Sequence, residues 1–352
     1  MPDGVPARPF PAASREVTRA MATAAEYSTP REGAAPRRRW SSSRLSDGQF
    51  AGLLTLPVIL VLLAVVAYPT GYSLWLSFHN IDLIFGSTVS VGWQNYHDAL
   101  TSPEVWHSLR ITVYYTVLVT LFSVAIAVAG ALLLNEQFRG RALVMTVVIL
   151  PWAVSLYATA VVWKYIYSQE WGLLDAVLLK LGVIDQPFLF LSATWAVPAM
   201  ALAHAWQIAP LGIYFVLATL QIIPEDLYKA AKVDRLGMMG RFRHVVLPYI
   251  KAPLLIVMVL VTVEAARVFD IIFFMTNGGP GDSSTTLTWD VYRQTFVNRN
   301  LGYGSAIAWL LVVLTTIVTT IYFLLLFWRR KEPVTATLPV DAGAAGAPLG
   351  TG

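Results

Sequence analysis

The stretch Tyr228–Pro253, YKAAKVDRLGMMGRFRHVVLPYIKAP, carries six basic residues, yet apolar runs close on it from both sides. Before it stands Trp195–Leu220 (WAVPAMALAHAWQIAPLGIYFVLATL) and after it Leu254–Met275 (LLIVMVLVTVEAARVFDIIFFM). A solvated, helix-prone segment between two runs long enough to cross about 30 Å of hydrocarbon is the signature of a loop between membrane spans. Composition agrees: 56% of the 352 residues are hydrophobic, only 13% are charged, and the mean hydropathy is +0.60, more apolar surface than a soluble domain can bury. Working outward, six segments are long enough to span as helices, at about 51–77, 110–134, 142–166, 194–220, 250–275 and 303–328. Alternation of the kind used by membrane β-barrels is absent, and in lipid every backbone polar group must pair within its segment, so the sequence predicts an all-α membrane protein.

The basic residues set the orientation, because positively charged loops stay on the cytoplasmic side. Nineteen of the 25 Lys and Arg fall in the N-terminal tail, the loop NEQFRGR, the segment after span four and the RRK at 329–331. Both termini, and the loop at 222–249, are therefore expected in the cytoplasm. The chain reads as a tail at 1–49, a membrane domain at 50–330 and a tail at 331–352. Both tails are too poor in apolar residues to offset their ordering entropy and are expected to be disordered. The basic N-terminal tail reads as a topology determinant in contact with lipid headgroups, and it lacks the aromatic platform that nucleic-acid binding needs.

Several chemistries are excluded. There is no cysteine, so no disulfide, thiolate metal site or thiol nucleophile. The five histidines stand singly, without the spacing of a metal site. No Gly-Lys dipeptide occurs, so the chain holds no phosphate-cradling loop of the Walker type, and an energy source must lie elsewhere. No nucleophile and base cluster together, which argues against a membrane enzyme. A self-contained secondary transporter would show repeated halves with broken helices at matching places, and the sequence shows no such repeat.

Within the charged loop, Pro224 suits a first helical position, Glu225 and Asp226 complement the helix dipole, and Ala230 and Ala231 favour helix. Leu227, Ala230, Ala231 and Asp234 recur at helical spacing as a small apolar face. Gly237 and Gly240 loosen the chain, and Phe242, Val245, Val246 and Leu247 make a second short face before Pro248 redirects it. Two short helices projecting into the cytoplasm are expected, with a surface that invites close docking.

This loop resembles the EAA loop of binding-protein-dependent ABC importer permeases: Ala230, Ala231, Asp234, Phe242, Leu247 and Pro248 match the pattern, with Val245 in the Ile place. Lys229 stands where Glu is usual, Arg235 where Gly is usual and Leu236 where Ala is usual, with Gly237 available two residues on to take the turn. Further stretches, YPTGYSLWLSF, VGWQNYHDAL, LPWAVSLYATAVVW, FDIIFFMTNGGPGDSSTTLTWDVYRQTF and GYGSAIAWLLVV, are similar to the sugar-importer branch. The Gly-Gly-Pro loop and the short basic ending resemble the larger permease of the maltose-transporter type. The resemblance implies a type I ABC importer permease fold in a bacterial inner membrane, a related second permease, two ATPase subunits that bind ATP and Mg, and an extracytoplasmic binding protein or lipoprotein that delivers a sugar, trehalose- or maltose-like, or a glycerol-phosphate ester. It also implies that the loop docks on an ATPase, through Lys229, Ala230, Ala231, Asp234, Gly237, Phe242, Leu247 and Pro248.

Polar residues within the spans are costly, about 2.5 to 3.5 kcal/mol per charge. Glu264, Arg267 and Asp270 fall three apart in span five, near one face, and read either as an internal ion pair or as part of a hydrated solute path. Trp206 and Gln207 in span four are substrate-path candidates, since a ring stacks on a sugar face while an amide exchanges hydrogen bonds with hydroxyls; the alternative is packing beside a Pro210 kink. Trp163, Lys164, Tyr165 and Tyr167 read first as an interfacial belt.

Overall fold

The computed structural model of the chain describes residues 47–81 and 87–328. The disordered tails expected from composition, and the basic cluster at 329–331, lie outside them, except that helix already begins at Asp47. The described part falls into two units that divide at Val66. The first contains helix α1 (Asp47–Leu62), exposed along its length from Gly48. The π-helical turn Leu63–Ala67 falls at the division and α2 (Tyr68–Leu76) opens the second unit; the run Gly48–Leu76 is long and apolar enough to cross a membrane, as the hydropathy predicts.

In the second unit a short antiparallel pair, β1 (His79–Ile81) and β2 (Thr88–Ser90), follows with His79 opposite Ser90, then α3 (Gln94–Thr101). Span two is α4 (Pro103–Asn135), which begins seven residues earlier than hydropathy places it because Ser102 caps the helix and Pro103 enters its first turn. Span four is α8 (Ala196–Leu220), and span six is α14 (Leu301–Trp328).

Spans three and five differ from the sequence reading. Span three is broken into α5 (Arg141–Ala153) and α6 (Leu156–Ile166), bent by 103°. Pro151 removes a donor from the last turn of α5, and Ser155 caps the new helix through its hydroxyl, accepting from the Ala158 amide at 3.3 Å. Between spans three and four lies a short helix, α7 (Leu173–Lys180). On the far side of span four, α9 (Glu225–Val233) stands alone, whereas α10 (Met238–Arg241), a π-helical turn at Phe242–Val246 and α11 (Leu247–Ala266) run as one helix. Pro248 therefore does not redirect the backbone. It occupies the first turn of α11, and the adjoining π-helical turn, closed by the Leu247 amide on the Phe242 carbonyl, carries the chain past it. Span five then stops at Arg267, and a six-residue helix, α12 (Asp270–Met275), restarts after it. The last short helix before span six is α13 (Leu287–Tyr292).

The core sits where α4, α8 and α11 meet. Gly212 permits that approach: a Cβ there would lie 2.8 Å from the Ala127 Cβ and 3.0 Å from Val257. Polar side chains stitch the same helices. Tyr115 Oη and His204 Nδ1 are 2.8 Å apart, buried between spans two and four. Thr120, Thr262 and Tyr322 form a chain of hydroxyl contacts at 3.2 Å each across spans two, five and six.

Candidate functional site

Two regions collect the candidate residues. On the charged loop, α9 has its expected dipole-matched start at Glu225 and Asp226 and ends in a complete Schellman turn: the Leu236 amide donates to the Ala231 carbonyl at 3.0 Å and the Arg235 amide to Lys232 at 3.0 Å. The left-handed residue of that turn is Arg235 itself, with φ +54°. Gly237, at φ −65°, does not take the turn role offered to it by sequence. Lys229 folds back on the first turn of its own helix, 3.2 Å from Asp226 and 3.8 Å from Glu225, an exposed pairing of about 0.3 to 0.5 kcal/mol.

The faces of this loop also differ from the sequence reading. Ala231 is buried, packed with Leu220, Ile223, Val245, Val246 and Ile250. Phe242 and Leu247 pack on the same cluster, so the second apolar face points into the bundle. What remains outward is Leu227, Ala230, Val233 and Asp234 on α9, with Met238 and Met239 beside them. Tyr228 lies near Glu136 at the end of span two, and burial together with that carboxylate raises its hydroxyl pKa.

The second region surrounds the two interruptions. Trp206 is 37% exposed and meets Trp163 edge-on, ring centroids 5.7 Å apart. Gln207 Nε2 donates to the Val154 carbonyl at 3.1 Å and reaches the Trp152 carbonyl at 3.5 Å, at the bend of span three. Glu264 and Arg267 pair at 3.1 Å, both half exposed. Because the helix ends at Ala266, Asp270 starts a new helix and does not continue their face, which corrects the three-residue stripe. The aromatic belt on span three is corrected too: Trp163 packs inward on Trp206, the buried Tyr167 donates its hydroxyl to the Ala199 carbonyl at 3.0 Å, and Lys164 donates to the Phe274 carbonyl at 3.0 Å. Only Tyr165 is fully outward. The Trp206–Gln207 pair and the Glu264–Arg267 pair thus flank separate breaks.

Two cavities are lined by other residues. One, of about 200 Å³, opens between spans two, five and six and is lined by Thr112, Thr116, Thr262, Thr315 and Tyr322 among apolar side chains. The other, about 300 Å³, lies against the loop that follows α12, among Glu104, His107, Ser108, Asp282, Thr285 and Arg293. Arg293 bridges Asp282 at 3.1 Å and the fully buried Asp290 at 3.0 Å. Burial pushes the Asp290 carboxyl up, and the guanidinium pulls against that shift. Sequence reasoning missed the Tyr115–His204 tie and this Arg293 bridge. A lone intramembrane histidine was the only signal for the first, and the second joins residues whose spacing says nothing of a contact.

Broken spans around a packed three-helix core, with a short exposed helix between spans four and five, define a multi-pass membrane protein of the transporter permease class. Residues 121–331 match the family described as the binding-protein-dependent transport system inner membrane component, and the chain belongs to that family. It is 32% identical to the trehalose/maltose transport system permease protein of Thermococcus litoralis, over 78% of this chain and 92% of that one. It is also 32% identical to the sulfoquinovosyl glycerol transport system permease protein of Agrobacterium fabrum, over 79% and 89%. Its fold matches a chain of a bacterial alginate ABC transporter, solved in complex with a pentasaccharide-bound periplasmic protein, with a TM-score of 0.67 at 20% identity over 80% of this chain and 96% of that one.

Proposed function

We propose that this chain forms half of the translocation path of an ATP-driven importer for a sugar or sugar-like solute. It pairs with a related permease in a bacterial inner membrane and receives solute from an extracytoplasmic binding protein. It is non-catalytic itself, and α9 carries the movement of two partner ATPase subunits that bind ATP and Mg. The observation that carries the reading is the match to the trehalose/maltose permease along nearly the whole of that relative. The outward apolar side chains of α9 and its neighbours support the coupling role, since Leu227, Ala230, Val233, Met238 and Met239 are all exposed among the described residues. With both termini and this loop in the cytoplasm, as the basic residues direct, the patch faces the side on which ATP is found.

The interrupted spans support a path. Irregular backbone at membrane depth is tolerated where it is buried in protein or lines a hydrated cavity. The partial exposure of Trp206 beside Trp163 supports a role in stacking on the apolar face of a sugar ring. Glu264 and Arg267, half exposed at the other break, offer hydrogen bonds to hydroxyls. The test is uptake of labelled trehalose, maltose and sulfoquinovosyl glycerol by a strain lacking only this gene, with and without the gene restored. Restoration of uptake of one of the three supports the reading; identical uptake of all three in both strains overturns it.

A further inference from the structure

We propose that Gln207 is a positioning residue that holds the bend of span three by donating to main-chain carbonyls, and does not contact solute. The inference rests on the chain's lying in a bilayer and is independent of which solute is carried. Where α5 ends at Ala153 its last carbonyls lose their partners in the following turn. The Val154 amide turns back to the Pro151 carbonyl at 3.1 Å, leaving the carbonyls of Trp152 and Val154 without a main-chain donor of that turn. At a helix end in water such groups are hydrated. At membrane depth, where water is scarce, one left unpaired and dry costs several kcal/mol. The Gln207 amide, reaching across from span four, is within 3.1 Å of one and 3.5 Å of the other. An amide nitrogen has two hydrogens to give, enough to serve both carbonyls.

The break in span five is met in the same way. There the Val268 carbonyl accepts a hydrogen bond from the Thr288 hydroxyl of α13. Beyond the bends, α6 and α12 are joined by Lys164 donating to the Phe274 carbonyl and by the edge contact of Tyr157 with Phe274 at 4.5 Å. The bend therefore depends on a donor in span four, and Gln207 is the side chain that supplies it.

The absence of native cysteine makes the test clean. Spin labels placed through Leu143→Cys and Tyr165→Cys, both at exposed positions, report the distance across the bend in the full permease–ATPase complex in nanodiscs. The two sites are 22 residues apart, so a straight helix would separate their Cα atoms by about 33 Å, and a bend of 103° brings them to roughly 20 Å. Gln207→Met keeps the length but carries no N–H or O–H to donate, and Gln207→Leu removes the donor and shortens the side chain; both are expected to move or broaden the distance toward the longer value. Should the leucine variant not be recovered, Gln207→Asn, one methylene too short to reach, reads the same way. Retention of the wild-type distance in Gln207→Met and in whichever second variant is recovered overturns the proposal.

Discussion

Arg235 carries the turn that ends α9 in a left-handed conformation that costs a side chain with a Cβ about 1 to 2 kcal/mol. Arg235→Gly should therefore tighten the loop, slowing hydrogen exchange at the Leu236 amide by about fivefold or more, the equivalent of roughly 1 kcal/mol; unchanged exchange would show that the turn is not limiting. Ala231 is the second instructive residue. Its small size is required by Val245, Val246 and Ile250 around it, so Ala231→Arg should destabilise the assembled chain by several kcal/mol, seen as loss of folded protein from detergent extracts and not only as loss of ATPase binding. Sequence spacing could place Ala230 and Ala231 on a helix but not say which of two neighbouring small residues faces inward, because that depends on how the π-helical turn at Phe242–Val246 seats span five against α9.

Among the elements, spans two, four and six were legible because membrane thickness imposes their length, and a run of about 20 apolar residues has few alternatives. The interruptions were not. Pro151 marks a place where a helix is free to bend, but proline also sits inside α8 and α11, where the helices continue. What separates the cases is a donor on another element, Gln207 or Thr288, and that is a tertiary fact. The same holds for close packing. Gly212→Val is expected to force α8 away from α4 and α11, since its branches would overlap Ala127 and Val257, and to lower the midpoint of thermal unfolding in detergent with a cost of about 1 to 3 kcal/mol. A midpoint within a degree of wild type would mean that the three helices are not held at this spacing.

At the scale of the whole molecule, the sequence already implied a multi-pass helical protein and singled out the charged, helix-forming segment between spans four and five. It also offered Trp206 and Gln207 a common role; Trp206 is partly exposed beside Trp163, whereas Gln207 donates to the backbone of span three. In the proposed function, α9 faces the cytoplasm and is held by an ATPase subunit. In a chain with no cysteine of its own, Ala230→Cys on the outward side of α9 gives a single reactive site. In inverted vesicles this thiol is expected to react with an impermeant maleimide when the ATPase is stripped away, and in the assembled complex to be shielded and to cross-link to the ATPase with a short bifunctional reagent. Labelling of Ala230→Cys from the outside of intact cells, with no cross-link to any ATPase, would contradict it.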